Sequence, residues 1–137
     1  VYGLRPPTLD EFGLVRAVEL HAARLDATDL DVRVDAPAGG LGHLPAAVEV
    51  AAYRITSEAL TNVARHARSS HCCVRFSRDR NLEIEVVDDG CGINSQPAGV
   101  GLTAMRERAQ ELGGDLAVES STAGTRVWAR LPVGEPA

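Results

Sequence analysis

The sequence predicts an α+β fold, a two-layer α/β sandwich in which a mixed β-sheet carries helices on one face. Two observations support this prediction. Helix-like stretches alternate with short strand-like stretches, and four of the strand-like stretches come as pairs joined by tight turns. The 137 residues fit one domain, and an apolar content of 45% is enough to build a core. Because only 4% of the residues are aromatic, Leu, Val, Ile and Ala must fill that core.

The first half of the chain is predicted to form a helix, a strand, a loop and a second helix. The first helix runs from Thr8 to Leu25, since Thr8 and Glu11 have the spacing of a capping box. A short alternating strand and a loop rich in glycine and proline follow. Pro45 then opens the longest helix, which extends to about Ala67.

The second half is predicted to form a hairpin, a helix and a second hairpin. A glycine-rich loop from Asp89 to Gly101 precedes this helix, and Gly113 with Gly114 can end it in a left-handed cap. The predicted ranges are 72–76 and 82–86 for the first hairpin, 102–112 for the helix, and 115–119 and 125–131 for the second hairpin.

Composition excludes several function classes. Acidic residues outnumber basic ones by 19 to 14, and no basic stripe is visible, which argues against a nucleic-acid or anionic-membrane surface. No apolar run approaches the roughly 20 residues that span a bilayer, and the first residues lack the order of a signal peptide. The three cysteines, two of them adjacent, suit neither a disulfide framework nor a zinc site. We therefore expect a cytoplasmic domain.

The longest helix carries the first candidate site. Glu58, Asn62 and Arg65 fall on one strip along the shoulder of its apolar stripe. Asn is a poor helix-interior residue, so its place beside a buried stripe indicates a specific partner. A carboxylate one turn before it and a guanidinium one turn after it suit hydrated Mg²⁺ and phosphate oxygens. The alternative is a solvated Glu/Arg face, and for His66, in the stripe itself, the alternative is packing near the helix end.

The second candidate site is the strand end with its turn. The strand delivers Asp88 and Asp89 into a turn that contains Gly90 and Gly92. An aspartate there can accept a hydrogen bond from an exocyclic amine, and the glycines allow a flat ring to approach the backbone. An acidic turn after an edge strand is the alternative. A calcium loop is disfavoured because no acidic ladder follows.

The third candidate site is the sequence Gly99-Val100-Gly101-Leu102, directly before a predicted helix. Glycines before a helix N-terminus expose N–H groups that can hold a phosphate. The sequence is not a P-loop, and it does not follow a strand as a dinucleotide fingerprint does. By itself, this short pattern is unspecific.

In their order and spacing the three motifs resemble the nucleotide site of the Bergerat ATP-binding fold, which is shared by DNA gyrase, ninety-kilodalton heat-shock chaperones, MutL and histidine kinases. Residues 58–67, which contain Glu58 and Asn62, resemble the helix motif of this fold that is called the N-box. Residues 88–92 and 99–102 resemble its two glycine-rich motifs, called the glycine boxes. Residues 101–109 and 4–14 are similar to sensor histidine kinases of the nitrate-sensor and desaturase-sensor class, which pair with LuxR-type response regulators. The resemblance covers nearly the whole chain.

The resemblance implies a role for each motif. Asn62 would help hold Mg²⁺ on the triphosphate of ATP, and Asp88 would accept a hydrogen bond from the adenine amino group with support from Thr125. Glu58 is the catalytic candidate: the matching residue activates water in ATPases, whereas in a kinase it could orient the water shell of the metal or do neither. The remaining implied nucleotide contacts are Arg65 and His66 near the phosphates, Gly90 and Gly92 beside the base, and Gly99, Gly101 and Leu102 at the lid over the phosphates.

The implied activity is that of a protein-histidine kinase, whose γ-phosphate goes to a histidine and then to a response-regulator aspartate. None of the four histidines here is followed by an acidic residue, as a phosphoacceptor would be. We therefore expect residues 1–137 to be the catalytic and ATP-binding domain of a homodimeric parent, with residues 1–8 leaving a dimerisation domain outside this chain. An anti-sigma-factor serine kinase and a non-catalytic nucleotide-gated module remain alternatives.

Overall fold

The computed structural model describes residues 7–25, 30–66, 71–89, 100–121 and 124–133, and for residues 7, 8, 10, 66 and 100–102 it describes the backbone alone. These ranges contain three helices and five strands. Their bounds are α1 Pro7–Leu25, β1 Asp31–Asp35, α2 Ala46–His66, β2 His71–Arg78, β3 Asn81–Asp88, α3 Val100–Glu111, β4 Asp115–Ser121 and β5 Gly124–Pro132.

The five strands form one mixed sheet in the order β1-β2-β3-β5-β4. The strands β1 and β2 run parallel, and every other neighbouring pair is antiparallel. Both predicted hairpins are present, β2 with β3 and β4 with β5, and β5 inserts between β4 and β3. The predicted α+β class with a mixed sheet is confirmed.

One face of the sheet is apolar and lies under the helices. On β3, Leu82, Ile84 and Val86 occupy this face and are at most 2% exposed. The helix α2 packs against α1 on one side and against β3 and β5 on the other. Its predicted apolar stripe is buried in full, at Val48, Ala52, Ile55, Ala59 and Val63.

The opposite face is polar over the described strands. Arg126 on β5 pairs with Glu85 on β3 and with Glu119 on β4, and Arg130 pairs with Asp115 at 2.7 Å. Exposed ion pairs of this kind contribute little to stability, so the apolar face under the helices holds the sheet together. The molecule therefore has the two layers that the sequence predicts.

Two of the predicted helices differ in detail from the structure. The helix α1 is interrupted at Gly13, whose φ of 80° and ψ of 176° are not helical, so its first turns and its remainder are two pieces. A residue with a side chain would be strained there, which is why glycine occupies the break. The helix α3 begins at Val100, two residues earlier than predicted, and Gly101 therefore lies in its first turn rather than in a loop.

The predicted left-handed cap of α3 is confirmed. Gly113 has a φ of 83°, and its N–H donates to the Gln110 carbonyl at 2.9 Å. The Gly114 N–H donates to the Ala109 carbonyl at 2.8 Å, which completes a Schellman motif. A side chain at Gly114 would overlap the backbone carbonyl of Arg130, so the cap also sets how closely α3 approaches β5.

We predict that Gly114→Ala lowers the free energy of unfolding by about 1–3 kcal/mol, because the added methyl group meets backbone that cannot move aside. Urea unfolding of the 137-residue chain measures this loss. Gly39→Ala is the matched control, since Gly39 has no positive φ and nothing within 4 Å of an added Cβ. Equal stability of the two variants would contradict the packing described here.

Candidate functional site

Asp88 is the last residue of β3 and lies on the apolar face of the sheet, where it is only 5% exposed. Cys72 lies opposite it on β2, and Thr125 lies opposite it on β5. Among the described residues, three polar or charged ones are buried, Thr56, Asp88 and Thr125, and two of these therefore lie side by side at this strand end.

Thr125 is where the sequence reasoning expects it, beside Asp88. It is 7% exposed, and its hydroxyl lies 3.3 Å from the hydroxyl of Ser120 on β4. Asp88, Thr125 and Ser120 line a shallow cleft of about 290 Å³ at the end of the sheet. Glu119 and Arg126 line the same cleft, so charged residues as well as hydroxyl-bearing ones border it.

Gly124 holds the backbone beside Asp88. Its φ is 142°, and a Cβ at this position would overlap the carbonyl oxygen of Asp88. The start of β5 can therefore lie against the end of β3 only because residue 124 has no side chain. Gly124 precedes Thr125 in the motif order that resembles the nucleotide site, but its close approach to Asp88 follows only from the pairing of β3 with β5.

Cys72 is a buried, uncharged neighbour of Asp88. It is 3% exposed, and burial, followed by the nearby charge of Asp88, raises the pKa of its thiol to about 12. The thiol therefore stays protonated at neutral pH and adds no second negative charge beside the Asp88 carboxylate. No sequence motif indicates a place for Cys72 in the site.

Asp89 and His71 are joined by three hydrogen bonds. The His71 N–H donates to Asp89 Oδ1 at 3.0 Å, and the Asp89 N–H donates to the His71 carbonyl at 3.2 Å. The ring atom Nδ1 of His71 lies 3.1 Å from Asp89 Oδ2. Sequence reasoning did not find this contact, because the two residues are 18 positions apart and no local pattern links them.

The helix α2 presents the second group of predicted residues. Glu58 and Asn62 are half-buried and Arg65 is exposed, as expected for a strip along the shoulder of the buried stripe. This helix packs on β3 and β5, the two strands that carry Asp88 and Thr125. Among the described residues, no cluster of three or more His, Cys, Asp or Glu could hold a metal ion. A metal here would need the amide of Asn62 and oxygens from a ligand.

The other predicted contacts are only partly described. Gly90, Gly92 and Gly99 lie outside the described residues. His66 is the last residue of α2, and Gly101 and Leu102 lie in the first turn of α3, with only their backbone described.

Comparison with known proteins identifies the family. The family described as histidine kinase-, DNA gyrase B- and HSP90-like ATPase matches residues 47–135, which include α2, Asp88 and Thr125. The chain belongs to this family. It is thus an ATP-binding domain of the histidine kinase-like ATPases.

Curated relatives of this ATPase domain are sensor kinases. The chain is 36% identical over 141 residues to the sensor histidine kinase MctS of Rhizobium johnstonii, covering 96% of this chain and 30% of that protein. It is 36% identical over 138 residues to the signal transduction histidine-protein kinase/phosphatase UhpB of Salmonella typhimurium, covering 94% of this chain and 26% of that protein. The chain thus spans less than a third of the length of these two relatives.

A solved structure supports the same fold. The histidine kinase domain of the Erythrobacter litoralis EL346 blue-light activated histidine kinase superposes with a TM-score of 0.71 at 26% identity, covering 88% of this chain and 65% of that one. Within the described part of the ATPase domain, no helix is both long and apolar enough to cross a membrane.

We predict that Cys72 is almost unreactive toward thiol reagents in the native protein. With a pKa of about 12, about one thiol in ten thousand is ionised at pH 8, and the fraction grows about tenfold with each pH unit. A variant with Cys73 and Cys91 replaced by Ser leaves Cys72 as the single thiol. Native modification as fast as in urea would contradict the burial of Cys72.

Because folding raises this pKa, the protonated thiol favours the native state. That contribution is complete below pH 9, the ordinary pKa of a cysteine, and is lost as the pH rises toward 12.

Proposed function

We propose that this chain is the catalytic domain of a sensor histidine kinase. It binds Mg·ATP and supplies the γ-phosphate for autophosphorylation of a histidine outside these residues, for relay to an aspartate of a LuxR-type response regulator. The observation that carries the proposal is the buried Asp88 carboxylate opposite Thr125, in a chain that belongs to the histidine kinase-like ATPase family. Two relatives that match nearly all of this chain are named as histidine kinases.

Asp88 selects adenine in this proposal. Its carboxylate can only accept hydrogen bonds, so it pairs with the exocyclic amino group of adenine and opposes the carbonyl of guanine. Thr125 supports the carboxylate from the neighbouring strand, where it lies in register with Asp88. The low exposure of both residues strengthens this discrimination, since an unpaired polar group is costly where water is excluded.

The strip on α2 serves the phosphates. The amide oxygen of Asn62 and the carboxylate of Glu58 are hard oxygen ligands of the kind that Mg²⁺ and its water shell prefer. Mg²⁺ bound there would neutralise charge on the triphosphate. Arg65, exposed one turn further on, can contact phosphate oxygens. The other phosphate contacts in this proposal are His66 and the first turn of α3, which contains Gly101. Transfer then depends on positioning and charge neutralisation.

The domain assignment completes the proposal. Residues 1–137 form the catalytic and ATP-binding domain, and about residues 1–8 leave the dimerisation domain of a homodimeric parent. A cytoplasmic location follows, because ATP and its regulator partner are found there. We assign this domain no membrane contact and no nucleic-acid partner, in keeping with its net charge of −5.

We predict that the chain binds ATP at least about tenfold more tightly than GTP, and that Asp88→Asn removes most of this preference. The asparagine amide can turn its N–H toward the guanine carbonyl, so the change costs ATP affinity and relieves the clash with GTP. Calorimetric titration with both nucleotides gives the ratio of dissociation constants. An unchanged ratio in the variant would remove Asp88 from base recognition.

We predict that the isolated chain acquires no stable phosphate on histidine, yet phosphorylates a separately supplied dimerisation domain of its own parent. The rate is low because a separate domain lacks the effective concentration that a tether provides. Asn62→Ala is expected to raise the Mg²⁺ concentration needed for half the maximal rate. Glu58→Gln with unchanged ATP affinity and a large loss of rate would assign the carboxylate to transfer.

Two outcomes contradict this account. ATP binding without any transfer to the dimerisation domain would favour a nucleotide-gated interaction module. Stable phosphorylation of the isolated chain on His21 would place the phosphoacceptor inside it.

A further inference from the structure

We propose that Asp89 and His71 form a clamp that positions Asp88 for recognition of the base, and so contribute to nucleotide specificity without touching the nucleotide. This inference rests on the proposed function, because it takes Asp88 as the residue that reads adenine. Asp89 lies within the motif of residues 88–92, but neither that motif nor the family match gives Asp89 or His71 a role of its own.

The clamp closes at the point where β3 leaves the sheet. Asp88 is the last residue of the strand, and Asp89 is the first residue outside it. The backbone N–H of Asp89 donates back to His71, the first residue of β2, at 3.2 Å. The backbone hydrogen bonding between β2 and β3 thus continues for one residue beyond Asp88.

The side chain of Asp89 adds two further contacts with His71. Its Oδ1 accepts from the His71 N–H at 3.0 Å and its Oδ2 lies 3.1 Å from the His71 ring, so both oxygens are engaged by one residue. Two atoms of one carboxylate held by one partner fix its orientation, which a single exposed ion pair does not. The strand end is therefore restrained through side chains as well as backbone.

Asp88 is consequently held from both sides. On the β5 side, Gly124 lies so close to the Asp88 carbonyl that no side chain fits between them. On the β2 side, the clamp holds the next residue along the chain, Asp89. A carboxylate that is held in place before binding loses less conformational entropy when it accepts a hydrogen bond from the adenine amino group, so the nucleotide binds more tightly.

Substitutions at Asp89 and His71 remove different numbers of the clamp's hydrogen bonds. Asp89→Ala removes both side-chain bonds, whereas His71→Ala removes only the ring contact. Asp89→Asn can keep both, because its amide oxygen accepts the His71 N–H and its N–H₂ donates to Nδ1 of the neutral ring. Asp115→Ala is the matched control, because Asp115 is similarly exposed and its 2.7 Å pair with Arg130 lies at the far edge of the sheet.

The measurement is the ratio of the GTP and ATP dissociation constants, by calorimetry on the 137-residue chain with Mg²⁺. A variant that is merely less folded weakens both nucleotides by the same factor and leaves the ratio unchanged. We expect the ratio to fall about three- to tenfold in Asp89→Ala and less in His71→Ala. We expect Asp89→Asn and Asp115→Ala to keep the ratio of the unmodified chain.

An unchanged ratio in Asp89→Ala, or a fall in Asp89→Asn as large as in Asp89→Ala, would overturn the clamp. If Asp89→Ala does not fold, His71→Ala decides by the same ratio. The Asp88→Asn variant, measured in parallel, distinguishes a failure of the clamp from a failure of base recognition by Asp88. If it loses the preference for ATP while the clamp variants keep it, the clamp alone is wrong; if the unmodified chain has no such preference, base recognition by Asp88 is wrong as well.

Discussion

The pairing of β3 with β5 is the constraint on which both the core and the site depend. It places Leu82 opposite Leu131 and Val86 opposite Val127, and the same register places Asp88 opposite Thr125. Because side chains alternate along a strand, a slip of one residue would expose the apolar side chains and turn Asp88 to the polar face. The apolar contacts that stabilise the sheet therefore also hold the aspartate in the site.

The helix α2 carries both buried core residues and the candidate site residues Glu58 and Asn62. It buries Ile55 and Leu60 completely, and each such side chain contributes about 1.5–3 kcal/mol. Thr56 is buried as well, and its hydroxyl donates to the Ala52 carbonyl at 2.7 Å, so this buried hydroxyl is paired within the helix. The half-buried strip with Asn62 can therefore be altered without emptying the core, which is why its variants test binding rather than folding.

Strong local periodicity explains what could be predicted from the sequence. The buried stripe of α2, the two hairpins and the Gly113 cap each depend on residues close together in the chain, and the structure confirms all of them. The break at Gly13 was missed because the capping and apolar pattern runs through it without interruption. The clamp was missed because it joins residues 18 positions apart, and only the register of β2 with β3 brings them together.

The electrostatics of the strand end follow from its neighbours. Asp88 lies opposite a thiol whose pKa is raised and opposite a hydroxyl, and neither of these two groups is charged at neutral pH. The charged Arg126 and Glu85 lie on the other face, and the Asp89 carboxylate is directed toward His71 at the start of β2. Two adjacent aspartates thus have different surroundings because the strand ends between them. The first is buried on the apolar face of the sheet, and the second is hydrogen-bonded to the first residue of the neighbouring strand.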